Sequence, residues 1–144
     1  MQTKINLQNF FRIGEEVLSE EELLKRIASF QKPLKITQDI ISEAVEDVLR
    51  VPYSRFKTND RSRSLVQARQ MYSFFMRYYL KWTLKEIGIS LGKDHSAIIT
   101  NITTYHDRCL FDPGFEDKAR AIDKQIKIRS YKLALNEVSL SKLN

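Results

Sequence analysis

Few side chains in this sequence could do covalent or metal chemistry, and their spacing argues against both. His95, His106 and Cys109 are metal-ligand types, but His-x10-His-x2-Cys fits no standard zinc site and lacks a fourth ligand. No metal is expected. His106 and Asp107 are neighbours in sequence, and neighbours on a helix point about 100° apart, so they do not converge as an acid–base pair. The run Gly88-Ile89-Ser90-Leu91-Gly92-Lys93-Asp94 has three residues between its glycines where a P-loop needs four. Asp94 also stands where a Ser or Thr must ligate magnesium. No nucleotide or other cofactor is expected, and no carboxylate cluster or activated nucleophile suggests an enzyme. What remains is contact chemistry. In Lys93-Asp94-His95-Ser96-Ala97, the imidazole can donate to guanine N7 or O6 or to thymine O4. The serine hydroxyl can reach a base or a phosphate, and the alanine methyl can pack on a thymine methyl. Lys93 adds a point charge beside them.

Helical elements must present this segment. Apolar Leu65, Ala68, Met71, Tyr72, Phe75, Met76 and Tyr79 predict a long helix from Arg63 or Ser64, with its aromatic residues in the core. Thr83 caps a short helix from Leu84 to about Leu91, with Glu86 completing a capping box and Gly92 as C-cap. A third helix runs from about His95 to Arg108, with Ile98, Ile99, Ile102 and Tyr105 inward. Long helix, short helix, glycine, helix is the helix-turn-helix order, and the first residues of its last helix enter the major groove. That N-terminus also carries free N–H groups and a positive dipole end that attract phosphate.

Around this centre the chain reads as all-α. The N-terminal arm is expected to be partly loose up to about Gly14. Ser19-Glu20-Glu21-Glu22 then starts a helix that ends near Gln31, before Lys32-Pro33. Thr37 caps the next, which carries Ile40, Ile41, Ala44, Val45, Val48 and Leu49 and closes at Pro52. Tyr53 to Ser62 is a polar, basic loop. Asp112-Pro113 opens a last helix with Phe115, Ala119, Ile122 and Ile126 at helical spacing, continued more weakly by Tyr131, Leu135 and Val138. Three segments are expected: an N-terminal helical extension over 1–35, the helix-turn-helix domain over 36–110 and a C-terminal helical extension over 111–144.

Charge sharpens this. From Ser54 to Arg108 ten Lys/Arg face four acids, so the chain's whole net charge of +6 sits in one block. A localised basic face is the footprint of a polyanion, usually nucleic acid. No stretch approaches the ~18 apolar residues that span a bilayer, so no membrane partner is expected. The N-terminus has no uninterrupted apolar core of the signal-peptide kind. Cys109 is the only cysteine, which rules out an internal disulfide and fits a reducing cytoplasm; a DNA partner would place the protein at the nucleoid.

Two stretches resemble the C-terminal DNA-binding domain, domain IV, of the bacterial replication initiator DnaA. One is Arg61-Ser62-Arg63-Ser64-Leu65-Val66-Gln67-Ala68-Arg69-Gln70-Met71. The other is Leu84-Lys85-Glu86-Ile87-Gly88 followed by Leu91 to Ile98. The resemblance covers about residues 36–126. It implies a helical, Trp-repressor-like helix-turn-helix fold and recognition of double-stranded DNA at short A·T-rich boxes. It implies that Arg61, in the basic loop that leads to Arg63, enters the minor groove, whose narrow A·T-rich form concentrates negative potential. Arg69 and Gln70 match phosphate-holding positions. Leu84 and Lys85 match positions near phosphate or thymine, and Asp94, His95, Ser96 and Ala97 match the base-reading signature. The chain departs from the family pattern with Lys93 for arginine, Ser96 for threonine, Ala97 for threonine and a turn one residue shorter. The resemblance carries no ATPase module into this sequence.

These observations lead to a non-enzymatic, sequence-preferring duplex DNA binder, a replication or transcription accessory factor of a bacterium, phage or mobile element. The alternative is a protein-interaction module that reuses the fold to contact an initiator or polymerase. Ala97 favours that alternative, while Arg61, Arg69, Gln70 and His95 speak against it. Helix-turn-helix proteins commonly dimerise, and the added helices are where a homodimer contact is expected.

Overall fold

Apolar side chains at three- and four-residue spacing wind most of this chain into helices in a computed structural model that describes residues 10–142. Six α-helices follow a small hairpin among those residues. The hairpin is β1 (Phe10–Ile13) and β2 (Glu16–Ser19). The helices are α1 (Glu20–Ser29), α2 (Gln38–Leu49), α3 (Arg63–Leu80), α4 (Leu84–Leu91), α5 (His95–Phe111) and α6 (Pro113–Lys142), with a 3-10 turn at Tyr53–Arg55.

The chain divides into two units, one formed by its two ends and one by Ile36–Ile126. The terminal unit differs from the expected loose arm. Phe10 to Ile13 pairs antiparallel with Glu16 to Ser19, Phe11 opposite Leu18 and Ile13 opposite Glu16. The two-residue connection works because Gly14 takes a φ of +61°, a conformation open to glycine at no steric penalty. Ser19 caps α1 by accepting from the Glu22 N–H at 3.2 Å, and α1 ends at Ser29, two residues before the expected Gln31. Leu18, Leu23, Ile128 and Tyr131 form this unit's core, with Phe30 edge-on to Tyr131 at 5.3 Å. Residues 1–9 of the arm lie outside the described residues.

The central unit is built on α3, which packs against α2, α4 and α5. Its core includes Ile41, Val45, Phe56, Leu65, Met71, Tyr72, Met76, Ile87, Leu91 and Ile98. Of the α3 aromatics, Tyr72 and Phe75 are core as their spacing predicts, Phe74 and Tyr79 are partly buried against it, and Tyr78 is exposed. The Tyr72 hydroxyl accepts from Gln38 Nε2 at 2.9 Å and donates to Ser90 Oγ at 2.9 Å, and Ser90 Oγ donates to Ile87 O at 2.7 Å. That chain of bonds satisfies the buried polar groups and ties α2, α3 and α4 together. Phe115, Ala119, Ile122 and Ile126 belong to the same core. The unit therefore continues into α6, past residue 110 and up to Ile126, while the helix residues from Lys127 belong to the terminal unit.

Local signals set the helix starts. Thr37, Thr83 and Asp94 accept from the Ile40, Glu86 and Ala97 N–H groups at 3.3, 3.1 and 2.9 Å. Asp112 accepts from the Phe115 N–H at 3.2 Å, and Pro113 is the first residue of α6. Two details differ from expectation. Helix α5 continues to Phe111 rather than ending near Arg108. Ile99 is exposed (46%) rather than inward, because only the stripe through Ile98, Ile102 and Tyr105 meets the neighbouring helices, and Ile99 sits about 100° round from Ile98.

The turn between α4 and α5 depends on two glycines. Gly92 has φ +65°, its N–H reaching Ile89 O at 3.2 Å and the next N–H, from Lys93, reaching Gly88 O at 2.8 Å. This is a Schellman-type ending. The chain folds back so closely that a Cβ on Gly88 would stand 2.5 Å from Lys93 O. Gly88→Ala is therefore expected to destabilise the protein by about 1–3 kcal/mol as the turn is forced off α4. Urea denaturation should show a lower midpoint with an unchanged slope.

Candidate nucleic-acid interface

The loop that follows the 3-10 turn is held from beneath by one side chain. Arg69 projects from α3 and is only 8% exposed. Its Nε donates to Phe56 O at 2.8 Å, Nη1 to Asp60 O at 2.7 Å and Nη2 to Thr58 O at 2.7 Å. A planar guanidinium is the one side chain with enough fixed donors to gather three carbonyls. Burial pulls the Arg69 pKa down and Asp60 opposes that. Asp60 tightens the same loop, accepting from the Ser62 N–H at 2.8 Å and from Arg55 Nη2 at 2.5 Å. These contacts leave Arg61 and Arg63 exposed.

The second part is the N-terminus of α5. Asp94 caps it, with Oδ1 accepting both from Ser96 Oγ at 2.7 Å and from the Ala97 N–H at 2.9 Å. The Ser96 hydroxyl is the leading cause, and the Ala97 N–H the next, of an Asp94 pKa below the ordinary carboxylate value. His95 and Ser96 are exposed, and Ala97 and Lys93 are half-buried.

Loop and helix meet. Lys93 Nζ donates to Asn59 Oδ1 at 3.3 Å, and the Lys57 side chain and backbone lie 4.0 Å from where a Gly92 Cβ would stand. Between them is an open groove of about 500 Å³ lined by Thr58, Asn59, Arg61, Val66, Ala97 and Thr100, among others. The structure thus brings Arg61, Lys93 and Ala97 to one concavity, with exposed His95 and Ser96 beside it. Lys85 is exposed at the start of α4, and Leu84 is half-buried against the core.

Arg69, which also lines this groove, and Gln70 are the two residues that the resemblance matches to phosphate-holding positions. Both are buried, at 8% and 7%. Arg69 spends its donors on the loop, and Gln70 Oε1 has no hydrogen-bond partner among the described residues. Sequence reasoning missed Asn59, Thr58 and Thr100 as groove residues and Gly88 as the residue that lets the turn close. A basic loop and an i+4 step from Ser96 were the available signals for the first three. Nothing local marked Gly88, because its neighbour is brought in by the turn.

With a long helix, a short helix and a capped recognition helix in this arrangement, residues 38–104 match the family described as the bacterial dnaA protein helix-turn-helix. The chain carries a DnaA-type helix-turn-helix domain. Similar proteins include the chromosomal replication initiator protein DnaA of Lachnoclostridium phytofermentans, 27% identical over 112 residues, which are 77% of this chain and 25% of that protein. The DnaA of Flavobacterium psychrophilum is 29% identical over 111 residues, 74% of this chain and 23% of that protein. That of Gloeobacter violaceus is 34% identical over 80 residues, 55% of this chain and 18% of that protein. The chain spans about a quarter of the length of the first two. In DnaA the corresponding domain binds DNA and is not catalytic by itself. Among the described residues no helix is long and apolar enough to cross a membrane, and no group of three His, Cys, Asp or Glu side chains is placed to hold a metal.

Two outcomes follow from this geometry. Arg69→Lys keeps the charge but cannot bridge three carbonyls, so it should lose roughly 2–3 kcal/mol of stability. It should also raise hydrogen exchange in the Phe56–Asp60 backbone, measured by mass spectrometry. The second outcome concerns acid. A folded-state pKa below the unfolded one stabilises above the ordinary carboxylate range and is lost as pH falls through it. Asp94, Asp60 and Asp112 all shift down, Asp112 chiefly through Arg108. Stability should therefore fall between about pH 5 and pH 3. Asp94→Asn, which still caps but does not titrate, should flatten that fall in thermal melts.

Proposed function

We propose that this chain binds double-stranded DNA without catalysis, α5 entering the major groove and the basic loop the adjacent minor groove. The observation that carries this reading is the approach of the Arg61 loop to the α5 N-terminus around one groove, joined by Lys93 and Asn59. In it, Asp94, His95, Ser96 and Ala97 touch base edges, and Arg61 reads minor-groove width in A·T-rich duplex. Arg63, Lys85 and Lys93 hold phosphates, with Leu84 near thymine or sugar. Arg69 acts on the backbone through the loop that it shapes, and Gln70 supports the same helix end from within. Residues 36–126 are the DNA-binding domain. The terminal hairpin and helices are an added unit and the place for a homodimer contact.

The relatives are named replication initiators, which supports a role in replication, with transcription as the other setting for the same chemistry. We place the protein in the cytoplasm at the nucleoid of a bacterium or of a phage or mobile element within one.

The second reading is a protein-interaction module contacting an initiator or polymerase. Leu110 and Phe111, 76% and 82% exposed at the end of α5, are the observation in its favour.

Fluorescence titration on random and A·T-rich duplexes separates the two. Duplex affinity should fall steeply as salt rises. Arg61→Ala and His95→Ala should each weaken it about 5- to 100-fold. No duplex binding at low salt would refute this proposal and leave the interaction module standing.

A further inference from the structure

Not all of the basic block is accounted for by the helix-turn-helix. Arg77 and Lys81 lie one turn apart at the end of α3, and among the described residues neither pairs with a carboxylate. They border a second groove of about 450 Å³, lined by Phe74, Arg77, Tyr78, Lys81, Ile102 and His106. Its lining carries bases, rings and one isoleucine, and no acid. Ile102 and His106 are seven and eleven residues beyond His95 on α5, roughly 10–17 Å along the helix. The first groove reaches along α5 as far as Asn101, the neighbour of Ile102, but the two grooves share no lining residue.

The rings are ordered into a stack. Tyr105, itself buried, lies against Phe74 at 3.9 Å and 10°, and Phe74 lies against Tyr78 at 5.5 Å and 18°. His106 meets Phe74 edge-on at 5.2 Å. The stack begins in the core and ends in the open, for Tyr78 is 55% exposed. Lys81 Nζ sits over the Tyr78 ring at 5.4 Å, and Arg77 Nη1 is steadied by Trp82 O at 2.9 Å. An exposed ring backed by Phe74, with Lys81 over it and Arg77 in the same groove, has the chemistry that takes a base on its face once the long Lys81 side chain swings from the ring to a phosphate. Stacking platforms flanked by basic side chains are how single strands are bound without sequence preference. In a duplex the base faces are buried in the stack and are not available to such a ring.

We propose that this groove binds single-stranded nucleic acid, one base stacking on Tyr78 while Arg77 and Lys81 hold its backbone phosphates. The site is independent of duplex binding by α5 and the basic loop, and either can fail without the other.

The test uses the full chain at low salt, with fluorescein-labelled dT12 and a labelled duplex in parallel anisotropy titrations. Tyr78→Ala should weaken dT12 binding about 5- to 100-fold and leave duplex affinity within about twofold. Tyr78→Phe, which keeps the ring, should bind dT12 like the parent, which separates stacking from misfolding. Arg61→Ala should do the reverse, weakening the duplex and sparing dT12. Thymidine monophosphate should displace dT12 only at far higher concentration than unlabelled dT12 does. If it competes equally well per base, the ligand is a free nucleotide and the strand assignment is wrong. No binding of dT12, or binding that Tyr78→Ala leaves untouched, overturns the site. Equal loss of dT12 and duplex in Tyr78→Ala places the groove in the duplex footprint and overturns it as well.

Discussion

The arrangement of the DnaA-type domain turns on a cation placed under a loop. The stretch between the 3-10 turn and α3 is mostly polar, basic and without period; Phe56 anchors it in the core and Asp60 ties its end to Arg55 and Ser62, which leaves the carbonyls of Phe56, Thr58 and Asp60 still to be held. Arg69 supplies the missing order by accepting burial and gathering the carbonyls of Phe56, Thr58 and Asp60. A loop with its carbonyls turned inward displays its side chains outward, and Arg61 is one of them. The Arg69 charge thereby shapes the segment that displays Arg61. A buried guanidinium with fewer partners would be a liability, because desolvation would exceed what its bonds return.

A second constraint acts on the other side of the groove. The α4–α5 turn is so tight that a backbone carbonyl rests where a Gly88 side chain would be. Once the turn is closed, Asp94 caps α5 and presets Ser96 and Ala97 through the same carboxylate oxygen. The groove is therefore preorganised from both sides, by a cation buried beneath the loop and by close packing beneath the helix. Preorganisation of this kind spares the ordering entropy that binding would otherwise have to meet.

Helix α3 connects these two devices. Its N-terminal half carries Arg69 toward the loop, its middle buries Tyr72 in the bonds to Gln38 and Ser90, and its far end carries the Phe74–Tyr78 stack to the surface. Changes along one helix thus reach the loop, the helix-turn-helix core and the second groove.

Much of this was legible in the sequence. Helix starts were, because caps act within three residues: Thr37, Thr83, Asp94 and Asp112 sit where their types predict. The helix-turn-helix order was, because apolar period and Gly92 are local signals. The short hairpin was missed, although Gly14-Glu15 between two β-capable runs is a local signal too; the arm's position at the chain end obscured it. What only the tertiary structure decided depends on neighbours far apart in sequence. Arg69 is surface-like by type and buried by context, since three carbonyls nine to thirteen residues away converge on it. Ile99 is apolar by type and exposed by context, since α5 meets its neighbours along a narrow stripe. Residue type and spacing determine which helices form and which side chains could touch DNA. Which of those side chains face outward is settled only when the helices pack, because burial belongs to the assembled surface rather than to any residue on its own.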